Sequence, residues 1–304
     1  LASAWKSVLI TDLVTILFNI VTPVLACAAI GYGWSRAGQP FDKGMVGKLV
    51  MFIGVPCLVF HALVSVEFAP QEFGEMAAAA LASSIVFLGV GWGVLKVLGL
   101  SVRTYLNPIA FGNTGNMGLP LAFLAFGDHG LALGVAYFVV NVILLVTIGV
   151  AVASNRYSPR EVLRQPFIYT VAAALFFMFS GYPVPAPLAE TTKMLGNFTI
   201  PLMLITLGVS LAELKLVSLP RSILVAVLRL GLGAAVGFGL AAAFGMTGAP
   251  RGVLVLMCTM PVAVITYLMA ETHAGDGRHV AGAVIVSTLA SFVMLPPLLW
   301  MLID

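Results

Sequence analysis

The chain has 304 residues, 61% of them hydrophobic and only 9% charged, with a formal net charge of +3. A soluble domain carries about 25% charged residues, and the mean hydropathy here is +1.08. These values exclude an ordinary soluble core, and the small net charge, without basic clusters interleaved with aromatics, excludes a nucleic-acid partner.

The apolar residues fall in blocks of about twenty, the length needed to cross a hydrocarbon layer of roughly 30 Å. Ten spans are expected in chain order, over 11–34, 45–65, 75–98, 104–126, 129–153, 166–183, 188–211, 219–245, 250–270 and 278–302. The chain begins with Leu1 rather than Met, and no cleavable signal pattern is seen. Cys27, Cys57 and Cys258 lie inside apolar runs without a CxxC or a Cys/His cluster. They read as small hydrophobes, so no metal, disulfide or organic cofactor is expected.

An even number of spans puts both termini on one side. That side holds Lys6, Lys193 and Arg251. The opposite side holds Arg36, Lys43, Lys48, Lys96, Arg103, Arg156, Arg160, Arg164, Lys215, Arg221 and Arg278, while Arg229 falls inside span eight. The positive-inside rule then places both termini on the extracytoplasmic side of a cell membrane.

Two stretches echo each other. Lys48, Pro56 and Ser65 in span two recur as Lys193, Pro201 and Ser210 in span seven, each 145 residues later. Gly91, Gly93 and Gly99 recur as Gly237, Gly239 and Gly245, each 146 later. Five spans per unit is odd, so the second copy, 166–302, would enter the membrane from the opposite side to the first, 11–153. Inverted repeats of this kind are common in secondary transporters. The alternative is unrelated Gly-rich packing of the small-xxx-small type.

Span four carries Gly112-Asn113-Thr114-Gly115-Asn116-Met117-Gly118-Leu119-Pro120 in mid-membrane. Gly and Pro weaken a helix and free backbone groups. Lipid cannot satisfy those groups, so the stretch must pack in protein or line a polar cavity. Span nine carries Cys258-Thr259-Met260-Pro261 at the matching depth, since a shift of 146 takes Asn113 to Thr259 and Gly115 to Pro261. Paired broken helices point to a substrate site, with half-helix amino ends favouring an anion. The alternative is a packing kink. Candidate substrate contacts are Asn113, Thr114, Gly115, Asn116, Pro120, Thr259 and Pro261, with Tyr137 and Asn141 on one face of span five. Arg229, about ten residues into span eight and opposite Ser83 by the repeat, is a further candidate, as a source of positive potential or as a stand-in for a bound cation. Its alternative is snorkelling to the interface. His61 and Ser65, with the equivalent Thr206 and Ser210, are candidates for the scaffold side of the cavity, unless they bond carbonyls one turn back.

All twelve acidic residues lie near span ends, which argues against a carboxylate relay and for facilitated or potential-driven anion movement, with sodium bound by carbonyls, Asn and Thr as the alternative. No GxSxG motif and no pair of buried carboxylates supports an intramembrane enzyme, so no catalytic residue is expected. A channel would not need two broken helices.

The Gly112–Pro120 segment resembles the fourth-span signature of the auxin efflux carrier family, which includes plant PIN proteins and bacterial organic-acid permeases. Met260-Pro261-Val262-Ala263-Val264, Ala270-Glu271, Ser287-Thr288-Leu289 and Leu295-Pro296 resemble that family's last two spans. The resemblance implies one all-α membrane domain over 1–304, with ten helices in two inverted five-helix repeats. It implies broken crossover helices four and nine beside the substrate, a scaffold of 11–65 and 166–211, and a moving transport domain of 75–153 and 219–302. It further implies homodimers joined through the scaffold, and small organic carboxylates carried by alternating access. A sodium-coupled bile-acid-type symporter shares the ten-helix plan but fits the Asn-rich motif less well. The short link 154–165 looks bacterial, hence an inner-membrane location. Ile265 and Thr266 stand where many members carry Asn or Pro, so substrate identity does not transfer.

Overall fold

The computed structural model describes residues 2–65, 70–155, 165–180, 182–274 and 277–303. Most of the 154–165 link, with Arg156, Arg160 and Arg164, lies outside the described residues, as do Glu67, Asp276 and Asp304. Among the described residues the fold is all-helical, with a single isolated β-bridge.

Helix α1 runs Ala2–Arg36. Next, α2 (Lys43–Leu49) starts at Asp42, whose side chain accepts from the Met45 amide at 2.9 Å. A π turn, Val50–Gly54, leads into α3, Val55–Val64. Pro56 has no N–H for the carbonyl four residues back, and the widened turn absorbs its ring. Helix α4 is Pro70–Val97 and α5 is Val102–Ala110, capped by Ser101. A second π turn, Thr114–Gly118, opens α6, Leu119–Leu144, again just before a proline, Pro120. Helix α6 is bent at Gly127, whose φ of 65° and ψ of −156° leave the helical region. A π turn at Leu145–Gly149 joins it to α7, Val150–Ser154. The second part of the chain comprises α8 (Pro166–Ser180), α9 (Ala186–Glu213), α10 (Leu219–Ala243), α11 (Gly248–Cys258), α12 (Val264–Met269), a π turn at Ala270–Ala274, and α13 (Gly277–Trp300).

Among the described residues seven stretches are long and apolar enough to cross a membrane, against the ten spans expected over the whole chain. The second half of span four and span five share one 41-residue stretch, Thr114–Ser154, turned at Gly127. Span six yields only the shorter Pro166–Met178, and span nine is divided into α11 and α12. Hydropathy averages across such breaks, because a Gly or Pro interrupts the helix without making the segment polar. Large apolar side chains point outward, among them Val293 at 77% exposure and Met194 at 68%. Such a surface belongs in lipid, and the chain is a multi-pass membrane protein.

The echoed glycines do equivalent work. Helix α4 ends at Gly99 (φ 66°), with Leu100 donating to the Leu95 carbonyl at 2.9 Å. Helix α10 ends at Gly245 (φ 64°), with Met246 donating to Ala241 at 2.9 Å. Both are left-handed caps that a side chain would strain. Gly91 lets α4 lie on Leu106 and Ile109 of α5, and Gly237 lets α10 lie on Val255 and Cys258 of α11. The prolines of the other echo behave differently: Pro56 follows a π turn, whereas Pro201 sits inside the unbroken α9.

Two packing groups stand out. Helices α1, α3, α8 and α9 pack on one another, with Gly31 of α1 against the Ile205 carbonyl and Gly208 of α9 against the Ala28 carbonyl. Helices α4, α5, α6, α10, α11 and α13 form the other group, and α3 lies against α6.

Candidate functional site

The two broken stretches meet. After α5, Phe111 is extended and Asn113 leaves the helical region (φ −76°, ψ 56°). After α11, Thr259 and Met260 unwind ahead of Pro261, which disfavours helix in the residue before it. Gly112 and Val262 then pair as an antiparallel bridge. The Asn113 amide donates to the Pro261 carbonyl at 2.7 Å, and the Ala263 amide donates to the Phe111 carbonyl at 3.3 Å. Each break thus supplies partners that the other needs and that lipid cannot offer.

Arg229 completes the crossing from α10. Its Nε donates to the Met260 carbonyl at 2.9 Å and its Nη2 to Cys258 at 2.9 Å. Its Nη1 donates to Ile109 at 3.1 Å and to Ala110 at 3.2 Å. The guanidinium carbon lies 4.7 Å from the centre of the Phe87 ring, and the residue is 1% exposed. Gly112 must be glycine here, because a Cβ would run into Arg229 Nη2. The structure therefore places Arg229 behind the crossing, with its donors engaged by carbonyls, and excludes snorkelling.

The remaining candidates separate by what they bond. Asn113 is buried and its Nδ2 has no partner in the protein. Gly115 and Asn116 are half-buried, the two residues of 111–120 that are not closed over. Gly115 packs towards Phe138 of α6 and Met203 of α9, which puts this turn beside the other packing group. Pro120 and Pro261 are buried and serve the backbone geometry. Thr114 donates to the Asn141 side-chain oxygen at 3.4 Å, so those two hold each other. Tyr137 is fully buried, its hydroxyl 3.0 Å from Ser83 Oγ and 3.6 Å from Cys258 Sγ. Thr259 donates back to Val255 at 2.9 Å and Leu256 at 3.0 Å. On the other group, Thr206 bonds the Leu202 carbonyl at 2.7 Å, the one-turn-back alternative. His61 is half-buried, Ser210 is buried, and Ser65 closes α3 at an exposed end.

Hydroxyls of α13 also reach the crossing, and these were not among the candidates. Ser287 Oγ accepts from the Val262 amide at 3.1 Å, and Ser291 Oγ lies 3.9 Å from Met117 Sδ in the π turn. Thr288, between them, is buried with an unpartnered hydroxyl. The clustering of Ser287, Thr288 and Ser291 on adjoining turns of an apolar span was a usable signal. No group of His, Cys, Asp and Glu able to hold a metal occurs among the described residues.

The profile of the membrane transport protein family matches residues 16–162 and matches again over 150–301. The chain belongs to this auxin efflux carrier-like family of membrane transporters. Family relatives run the length of the chain. An uncharacterized transporter of Methanocaldococcus jannaschii is 21% identical, covering 94% of this chain and 99% of the relative. Another uncharacterized transporter, from Methanothermobacter thermautotrophicus, is 25% identical over 92% and 96%. A Rhizobium meliloti protein named as a candidate malonate transporter is 24% identical over 93% and 95%. The family and all three relatives are named for membrane transport.

Proposed function

We propose that the protein is a secondary carrier that moves a small organic carboxylate across the membrane by alternating access. One observation carries this reading. At the crossing of two broken helices, Asn113 keeps an unsatisfied buried amide donor while the adjacent Asn116 remains half-open. An unpartnered amide in a dry interior is costly unless a ligand or water takes the bond. The helix that starts at Thr114 has its amino end in the same stretch, and the positive end of its dipole suits an anion. The name of the Rhizobium meliloti relative points the same way.

In this reading the ten spans form two inverted halves, 11–153 and 166–302, and the doubled family match supports two units. The group of α1, α3, α8 and α9 corresponds to a scaffold over 11–65 and 166–211, and the rest to a transport domain over 75–153 and 219–302. His61, Ser65, Thr206 and Ser210 belong to the scaffold side. Two copies join through the scaffold helices, both termini lie on the extracytoplasmic side of a bacterial inner membrane, and the membrane potential drives the anion.

The test is uptake of labelled malonate and malate by proteoliposomes under an imposed potential, with competition by a panel of mono- and dicarboxylates. Saturable uptake displaced by one class of carboxylate is expected. If no member of the panel enters or competes, while the purified protein is folded, the carboxylate reading fails.

A further inference from the structure

We propose that Arg229 is the resident cation of the crossing: a protein-borne charge that neutralises the carboxyl ends of two half-helices, where a crossing without it would have to hold a dissociable monovalent cation. Helices α5 and α11 both end at this point with their last carbonyls unpaired within the helix, and each end carries about half a negative charge. Two such ends amount to about one negative charge, which one guanidinium balances. Its donors reach Ile109 and Ala110 at the end of α5 and Cys258 and Met260 at the end of α11. Carbonyl oxygens converging from two elements are the donor set that a hard monovalent cation would take. Neither ion pair found among the described residues involves Arg229, so no carboxylate competes for its charge. The face of Phe87 closes the remaining side.

The arrangement also explains how Arg229 acts on an anion it does not touch. With the carboxyl ends balanced, the amino end of the helix beginning at Thr114 keeps its positive character unopposed. Arg229 is thus a positioning residue for the anion site, and a cation need not be co-transported at this position. That last consequence rests on the proposed carrier function. The resident-cation assignment does not, because it is scored by stability.

The experiment is thermal unfolding of purified Arg229→Ala and of the wild type in millimolar guanidinium chloride, with sodium chloride and choline chloride at matched ionic strength. The variant should melt about 5–10 °C below the wild type. Guanidinium or sodium should restore at least half of that loss in a saturable way, choline should not, and the wild type should not respond. A variant as stable as the wild type, or a loss that neither small cation relieves, overturns the proposal. If Arg229→Ala cannot be recovered folded, Arg229→Lys and Arg229→Met replace it. Recovery of the lysine variant alone supports a resident charge, and equal behaviour of the two overturns it. Wild-type carboxylate uptake that stops when sodium is removed at fixed potential would overturn cation-free operation while leaving carboxylate transport standing. Absence of carboxylate uptake would remove the carrier reading and leave the stability result intact.

Discussion

The two helix breaks face each other at one crossing, yet they are finished differently. In the second, nearly every polar group is committed: Met260 and Cys258 carbonyls to Arg229, the Val262 amide to Ser287, and the Thr259 hydroxyl to its own helix. In the first, Asn113 retains a free amide donor and Asn116 is half-open. A pair of breaks therefore need not divide ligand binding evenly. One is closed by bonds within the fold, and the other leaves a buried amide donor unpaired, the feature on which the proposed carrier function rests.

That contrast can be broken by substitution. The largest effect is expected at the open break: Asn116→Ala and Asn113→Ala should each lower carboxylate uptake about 10- to 100-fold, the worth of one hydrogen bond to a charged group. Melting temperature should stay near that of the wild type, because neither amide nitrogen braces the fold. Wild-type uptake in Asn116→Ala would remove that residue from the site. Next comes Gly112→Ala, which drives a methyl into Arg229 Nη2 and to 3.0 Å from the Met260 carbonyl. It should cost about 1–3 kcal/mol of stability, the usual range for overpacking, read as a lower melting temperature and less folded protein. Ser287→Ala strands the buried Val262 amide and should cost about 1–2 kcal/mol. Smallest of all is Thr259→Val, whose lost hydroxyl serves only its own helix; a change below about 0.5 kcal/mol is expected. If Thr259→Val abolished uptake while Asn116→Ala did not, the assignment of open and closed breaks would be reversed.

Much of this crossing was legible beforehand, and the reasons are local. Gly112 ahead of the Gly115–Pro120 run, and Thr259-Met260 ahead of Pro261, weaken the helix locally, so both breaks, at 111–113 and 259–263, follow from chain chemistry. The turn between spans four and five falls at Gly127, where a glycine supplies the positive φ that the bend requires. Other features had no local signature. Tyr137 and Asn141 share a face of one helix, but Tyr137 bonds Ser83 and Cys258 while Asn141 bonds Thr114. Periodicity identifies the face and says nothing of the partner across it. The Pro56 and Pro201 echo shows the same limit: equal spacing yields a π turn in one case and an uninterrupted helix in the other.

By itself, then, the sequence determined that the chain lives in a bilayer, where its helices break and which polar residues lie beside the breaks, because hydropathy, proline and glycine act over a few residues. Only the tertiary structure decided that Gly112 pairs with Val262, that Arg229 closes on carbonyls of both half-helices, and that Ser287 completes the second break. Those contacts join positions 25 to 150 residues apart. In lipid an unwound backbone group must find its partner wherever packing delivers one.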